Sequence, residues 1–161
     1  MIGNDVVDLK LAGIQSNWQR KGYLNKIFTD LEQQLIANSE DKNNMVWQLW
    51  SRKEAVYKLL LQQGHARGYY PIKIECLDIK NTAGKVKFDY KFYFTNTYIS
   101  INYVHSIAVI NEIDLDSVVE LNWNSNCVMI DQKPYLFQNN GFQNISKSHH
   151  GKFEKVVALN I

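Results

Sequence analysis

Two acidic side chains lie in an apolar segment near the start of the sequence. Residues 1–9 place Ile, Val and Leu around Asp5 and Asp8, which predicts a short strand that carries both acids. Magnesium prefers oxygen ligands, and one or two carboxylates often hold it together with the phosphates of a substrate. Asp5 and Asp8 are therefore candidate magnesium ligands, although acids near strand ends are also common in proteins that bind no metal.

A glutamate and a lysine are one turn apart in the segment that most strongly favours a helix. Residues 45–63 contain no Gly or Pro and are rich in Leu, Lys, Glu and Ala. Trp50, Glu54 and Lys58 are spaced by four residues and would share one face. One interpretation is an exposed ion pair that stabilises the helix by about 0.3–0.5 kcal/mol. The large aromatic residues of the same stretch favour a partly buried pair instead.

A third polar segment precedes the last apolar run of the chain. It contains Ser146, Ser148, His149, His150 and Gly151, together with two lysines. Hydroxyl donors, positive charge and a glycine that permits close backbone approach are suited to binding a phosphate. The alternative is a polar loop before an edge strand. A metal site at the two histidines is disfavoured, since no third ligand occurs nearby at standard spacing.

Composition limits the classes of protein that can carry these segments. The length of 161 residues suits one domain, and 45% apolar with 21% charged residues excludes a disordered chain. The net charge of +2 argues against a dedicated nucleic-acid-binding protein. The sequence contains no run of 18 apolar residues, which is the length that would predict a membrane span. The acidic N-terminal segment is unlike a signal peptide. The two cysteines lack metal-ligand spacing and suggest reduced thiols. We therefore expect a cytoplasmic protein.

Helices are predicted in the first third and strands in most of the rest. Thr29 and Glu32 form a capping-box pattern that opens a helix through about Ala37, and the helix over 45–63 follows. Strands are predicted at 72–76, 85–94, 99–102, 106–110, 116–121, 127–130, 134–137 and 153–159. The predicted fold class is α+β, with a mainly antiparallel sheet packed against one long helix and shorter helices in a single domain, 1–161.

The three polar segments together resemble the 4′-phosphopantetheinyl transferases. The family's Gly-x-Asp occurs as Gly3-Asn4-Asp5, its Trp-x-x-Lys-Glu-Ala-x-x-Lys at residues 50–58 and its Ser-x-Ser-His-x-Gly at residues 146–151. The helix motif matches at every fixed position and is the most specific. The order of the motifs is similar to that of the small branch, the holo-[acyl-carrier-protein] synthases. Compared with that branch, residues 71–128 look like a β-rich insertion.

The resemblance implies an enzyme that moves the phosphopantetheine arm of coenzyme A onto a serine of an apo carrier protein and releases adenosine 3′,5′-bisphosphate. It implies Mg²⁺ as cofactor, held by Asp5 and Glu54 with Asp8 as a further ligand. Asp5 and Asp8 point to opposite faces of an ideal strand. Asp8 can therefore join Asp5 only if the strand ends or bulges between them; otherwise water takes that place.

The resemblance also assigns the other site residues. Glu54, or a water polarised by the metal, would help to deprotonate the serine, and Lys58 would neutralise the leaving phosphate. Ser148, His149 and Gly151 would bind the adenosine phosphate end of coenzyme A, with Lys58 contacting its phosphates.

The implied partners are coenzyme A and an acyl or peptidyl carrier protein, in fatty acid, polyketide or nonribosomal peptide synthesis, with no nucleic acid and no membrane. Carrier proteins are usually acidic, so Arg20, Lys21 and Lys26 are the candidate docking residues. A homo-oligomer, such as the trimer of the small branch, is a further expectation. The alternative function is a non-catalytic module of the same fold that binds coenzyme A or a carrier protein.

Overall fold

The computed structural model describes residues 1–80, 82–139 and 141–160, with the side chains of residues 78–80 excepted. Asn81, Asn140 and Ile161 of the predicted domain lie outside the described residues. The helices are α1 (Leu9–Gln15), α2 (Tyr23–Ile27), α3 (Asp30–Asn38) and α4 (Lys42–Gln62), with short 3₁₀ turns at Pro71–Lys73 and Glu112–Ser117. The strands are β1 (Ile2–Asp8), β2 (Ile74–Lys80), β3 (Ala83–Phe88), β4 (Lys91–Ile99), β5 (Tyr103–Val109), β6 (Val118–Leu121), β7 (Cys127–Ile130), β8 (Lys133–Gln138), β9 (Gly141–Asn144), β10 (Ser146–His150) and β11 (Phe153–Leu159).

The strands form one large sheet and two small ones. The large sheet has the order β1-β5-β4-β3-β2, and every described pair in it is antiparallel. The small sheets have the orders β10-β11-β6 and β7-β8-β9 and are also antiparallel. The predicted α+β class is confirmed. Four strands of the large sheet come from the stretch 71–128, whose interpretation as an insertion stays a prediction.

The long helix α4 packs against β1 and β5 and supplies much of the main core. Val46, Leu49, Val56 and Leu59 are among its fully buried side chains. Gly3 lies where β1 comes closest to this helix, because a Cβ at that position would overlap the backbone oxygen of Ala55. Glycine therefore allows the strand to run directly along the helix, which brings the residues that follow it close to the polar face of α4.

A buried ion pair joins α3 to α4. Thr29 and Glu32 form the predicted capping box at the start of α3. The Glu32 carboxylate also lies 2.7 Å from Lys53 Nζ and accepts a hydrogen bond from the backbone N–H of Cys76. Lys53 Nζ donates to the carbonyl of Ile74 as well. Because both charges are buried and each has several partners, this ion pair fixes α4 relative to α3.

Several local predictions differ from the structure. The stretch 85–94 is a hairpin, in which Asp89 adopts a left-handed conformation (φ 53°) between β3 and β4. Residues 100–102, predicted as part of a strand, form the turn between β4 and β5, closed by Ser100 Oγ hydrogen bonds. The segment interpreted as a polar loop is the strand β10, which pairs with β11. Helices α1 and α2 lie between β1 and the capping box, where the sequence analysis predicts no helix.

No helix in the described part of the chain is long and apolar enough to cross a membrane.

Candidate active site

A cleft opens between α4, β1 and the C-terminal strand β10. Asp5, Trp50, Glu54, His149 and His150 are among its lining residues, and its volume is about 210 Å³. We call it the acidic cleft. Asp5 comes from β1, Glu54 from α4 and the histidines from β10. Three segments that are far apart in the sequence thus contribute side chains to one small space, as the resemblance implied for Asp5, Glu54 and His149.

Lys58 contacts the acid of β1 directly. Its Nζ lies 3.0 Å from Asp5 Oδ1 and donates a second hydrogen bond to the carbonyl oxygen of Asn4 at 2.9 Å. Burial raises the pKa of Asp5, and the charge of Lys58 and its hydrogen bond act in the opposite direction. The charge of Lys58 therefore favours the ionised form of this carboxylate and partly offsets the effect of burial.

Glu54 is the second carboxylate of the acidic cleft, and its charge is less well compensated. Burial and the neighbouring charge of Asp5 raise the pKa of Glu54 to about 7, with Lys58 lowering it in part. Glu54 can therefore hold or release a proton close to neutral pH. A carboxyl with such a pKa is suited to general acid–base catalysis.

The two carboxylates fit a magnesium ion by the chemistry of their donor atoms. Each is desolvated, the charge of Asp5 raises the pKa of Glu54, and a divalent cation would offset both charges. Within the described ranges, no group of three or more His, Cys, Asp or Glu side chains is arranged to hold a metal. The chain would thus provide two carboxylates, and Mg²⁺ commonly completes such a set with water and substrate phosphate oxygens.

Asp8 lies apart from these two acids. Strand β1 pairs with β5 in unbroken register, so Asp5 and Asp8 face opposite sides as period-two alternation requires. Asp8 Oδ1 accepts the backbone N–H of Leu11 at 3.1 Å and caps α1, which lowers the pKa of Asp8. Asp8 is not among the residues that line the acidic cleft. Its role as a metal ligand stays a prediction.

The residues predicted to bind the coenzyme occupy different environments on β10. His149 is exposed and lines the acidic cleft. Ser148 is buried, and its Oγ accepts a hydrogen bond from Asn4 Nδ2 at 3.0 Å. Gly151 turns the chain after β10 with a φ of +58°, and a Cβ there would overlap the carboxylate of Asp8. Ser148 and Gly151 thus hold β10 against β1, whereas His149 faces the space that a ligand can enter.

Asn4 and His105 complete the attachment of β10 to β1. Both residues are buried, and the sequence analysis did not identify them. Asn4 Nδ2 lies 3.1 Å from His105 Nε2 and 3.2 Å from the carbonyl oxygen of Lys155, and the backbone N–H of Asn4 donates to Ser146 Oγ at 2.8 Å. Burial lowers the pKa of His105 to about 4, so its ring is neutral and Nε2 can accept. The sequence feature that could have indicated the role of Asn4 is the alternation of side chains along β1. This alternation points Asn4 to the face opposite Asp5 and towards another layer of the fold.

Solved structures similar to this chain are holo-[acyl-carrier-protein] synthases. The enzyme of Helicobacter pylori in complex with coenzyme A has a TM-score of 0.56 at 17% identity, with 69% of this chain and 100% of that chain covered. The enzyme of Neisseria meningitidis has a TM-score of 0.56 at 14% identity and covers 68% and 96%. A Bacillus anthracis enzyme in complex with CoA (3′,5′-ADP) has a TM-score of 0.55 at 16% identity and covers 68% and 93%. At these identities the likeness establishes a shared fold.

No curated protein sequence matches the chain. A family model does match it, over residues 1–110, a range that contains β1, α4 and the whole of the large sheet. This range includes Asp5, Glu54 and Lys58, and it ends before β10. By this match over more than half of its length, the chain belongs to the 4′-phosphopantetheinyl transferase superfamily.

Proposed function

We propose that the protein transfers 4′-phosphopantetheine from coenzyme A to a serine of an apo acyl or peptidyl carrier protein and releases adenosine 3′,5′-bisphosphate. The observation that carries this proposal is that Asp5, Glu54 and His149 line one cleft, that Lys58 contacts Asp5 directly, and that burial raises the pKa of both carboxylates. Family membership supports the type of reaction. The coenzyme A complexes of similar folds support the choice of donor.

The reaction is a displacement at phosphorus, which sets what each residue must do. The serine oxygen forms a bond to the phosphorus that bears the pantetheine arm, and the bond from that phosphorus to the bridging oxygen breaks. The serine proton would pass to Glu54 or to a water beside it. Lys58 Nζ faces the negative charge that develops on the departing phosphate. His149 contacts the adenosine phosphate end.

Mg²⁺ belongs to the proposal because the acidic cleft provides the oxygen donors that this ion prefers. Asp5 and Glu54 would hold it, and when bound it supplies positive charge next to the diphosphate. The partly buried positions of both carboxylates exclude water from around them, which strengthens their interaction with a cation. Asp8 would contribute only through an intervening water or a local change of β1.

The carrier protein would dock at exposed basic residues, of which Arg20 lies next to the acidic cleft. Arg20, Lys21 and Lys26 are exposed, and the guanidinium of Arg20 lies over the ring of Tyr23, which lines that cleft. The serine of an acidic carrier bound there would lie near Glu54. A cytoplasmic location and service of fatty acid synthesis are parts of the proposal, and a homo-oligomer such as a trimer stays a prediction.

Mass spectrometry of an apo acyl carrier protein tests the proposal directly. After incubation with the protein, coenzyme A and Mg²⁺, we expect the carrier to gain the mass of one phosphopantetheine group. Omitting coenzyme A is the matched control. An unmodified carrier, in a sample where calorimetry shows coenzyme A binding, would instead support the non-catalytic module.

A further inference from the structure

The two strands that carry Asp5 and His149 into the acidic cleft belong to different sheets. Strand β1 pairs with β5, whereas β10 pairs with β11, and no backbone ladder joins β1 to β10 among the residues that the structure describes. Side chains link the two strands instead. One such hydrogen bond, from the backbone N–H of Asp8 to His150 Nδ1 at 2.8 Å, lies at the end of both strands. The position of His149 relative to Asp5 therefore depends on a small number of side-chain contacts.

Asn4 makes the contacts between these strands that lie next to the cleft residues. Its backbone N–H donates to Ser146 Oγ at 2.8 Å, and its side-chain Nδ2 donates to Ser148 Oγ at 3.0 Å. Asn4 directly precedes Asp5 in the sequence, and Ser148 directly precedes His149. A change in the contact between Asn4 and Ser148 would therefore shift the two neighbouring cleft residues relative to each other.

The backbone carbonyl of Asn4 connects the same point of β1 to the long helix. It accepts a hydrogen bond from Lys58 Nζ at 2.9 Å, and the same Nζ lies 3.0 Å from Asp5 Oδ1. Strand β1 is held by its unbroken pairing with β5, so this carbonyl keeps its place when the side chain of Asn4 is changed. The side chain of Asn4 thus acts on β10, and its backbone acts on α4.

The side chain of Asn4 acts as a buried donor that a ligand in the acidic cleft does not touch. It is fully buried and is not among the residues that line this cleft. Its Nδ2 also lies 3.2 Å from the carbonyl oxygen of Lys155, which can only accept a hydrogen bond. Its Oδ1 has no hydrogen-bond partner among the described residues. Any effect of this side chain on a ligand must therefore pass through the residues that it holds.

We infer that Asn4 is a positioning residue for coenzyme A, because its side chain holds β10 where His149 reaches the ligand beside Asp5. The inference rests on the proposed function, since it takes coenzyme A as the ligand that His149 contacts. The pattern Gly-x-Asp leaves the position of Asn4 open, so the role follows from the packing of β10 on β1 in this chain. It adds a residue without substrate contact to those that determine the affinity.

A double-mutant cycle between Asn4→Ala and His149→Ala tests this assignment. The readout is calorimetric titration of the full chain with coenzyme A in the presence of Mg²⁺. We expect each single variant to bind coenzyme A roughly tenfold more weakly than the wild type, as the loss of a contact to a charged phosphate implies. Because Asn4 acts through His149, Asn4→Ala should weaken binding by less than about twofold in the His149→Ala background. In carrier modification, the KM for coenzyme A should rise and the KM for the carrier protein should not change.

Two further variants separate positioning from a general loss of stability. Ser146→Ala removes the other hydrogen bond from Asn4 to β10 and should show the same dependence on His149, so the test does not rest on the folding of one variant. Thr95→Val is the matched control, since Thr95 is buried on β4 of the same sheet and donates to the carbonyl of Gly84 in a bond that does not involve β10. It should lower the thermal unfolding midpoint and leave the affinity for coenzyme A unchanged.

The outcomes distinguish this inference from the proposed function. Additive losses in the cycle would overturn the inference, since Asn4 would then act independently of His149. Equal loss of affinity in Thr95→Val would overturn it as well, because lower stability alone would then weaken binding. If the predicted coupling is found but an apo carrier protein stays unmodified, the positioning role stands and the proposed transfer fails. If the wild type binds no coenzyme A, the proposed function fails and the inference fails with it.

Discussion

Asp5 and Glu54 differ in how their charges are compensated, although both lie in the acidic cleft. Asp5 has Lys58 as a direct partner at 3.0 Å, whereas burial and Asp5 together raise the pKa of Glu54 to about 7. The sequence motifs predicted that Asp5 and Glu54 are site residues, because short spacings on a strand and on a helix are visible in a single sequence. The burial of Ser148 and the contacts of Asn4 were not predictable, since they depend on which layer packs against β1.

Lys58→Ala separates the chemical step from metal binding. Loss of this cation removes positive charge from the leaving phosphate, so we expect transfer to fall by roughly 10²–10³-fold. The two carboxylates remain and lose their internal counter-charge, so the rise in the thermal unfolding midpoint on adding Mg²⁺ should persist. Transfer assays and thermal unfolding with and without Mg²⁺ measure the two effects. Loss of the Mg²⁺ effect together with transfer would contradict this division of roles.

Asp8→Asn tests whether the second acid of β1 belongs to the metal site. Asparagine also caps helices, so the hydrogen bond to Leu11 can be retained and α1 should stay folded. Because Asp8 faces away from the acidic cleft, we expect only a mild decrease in transfer rate at limiting Mg²⁺. A loss as large as that of Asp5→Asn in the same assay would place Asp8 in the metal shell.

At the scale of elements, the attachment of β10 to β1 positions His149 relative to Asp5. Helices α3 and α4 and strand β1 were predictable, because capping residues and apolar spacing mark them locally. Strand β10 was not, since Ser, Lys and His have no strong preference for strands. Its conformation depends on pairing with β11 and on the hydrogen bonds from Asn4 to Ser146 and Ser148.

The buried histidine in this attachment predicts a pH dependence of stability. Burial and Lys155 lower the pKa of His105 to about 4, with Glu120 and Lys58 as the other charged groups that affect it. The unfolded chain, with a histidine pKa of about 6.5, binds more protons than the folded one between these values. The contribution of His105 is therefore fully present above about pH 6.5 and is lost as the pH falls towards 4.

Chemical denaturation of wild type and His105→Gln from pH 7 to pH 4 measures this effect. The glutamine amide oxygen can accept from Asn4 as Nε2 does, but it does not titrate. We expect the free energy of unfolding of the wild type to fall by up to about 3 kcal/mol more than that of the variant over this range. Equal losses in the two proteins would show that His105 is not the titrating group.

In the whole molecule, residues from both ends of the chain line the acidic cleft. The family model covers residues 1–110, while His149 comes from a later strand. The α+β class followed from the order of the predicted elements. The division into three sheets did not, because pairing of strands such as β1 with β5 is decided by long-range contacts that local patterns do not contain.

Charge reversal tests the proposed docking surface at this scale. Arg20→Glu combined with Lys26→Glu replaces two exposed cations that are not among the lining residues of the acidic cleft. We expect slower transfer to an acidic carrier protein and a weaker dependence of the rate on salt, because long-range attraction is lost. Affinity for coenzyme A should not change. Wild-type rates at every salt concentration would place the docking surface elsewhere.

The rate of carrier-protein modification by Asp5→Asn and Glu54→Gln tests the central claim most directly. Both changes keep size and polarity and remove the charge that would hold Mg²⁺. With mass spectrometry as readout and limiting Mg²⁺, we predict Mg²⁺-dependent modification by the wild type and a loss of at least about a hundredfold in each variant. Unfolding midpoints should move little. An unmodified carrier with the wild type, or wild-type rates in both variants, would contradict the assignment.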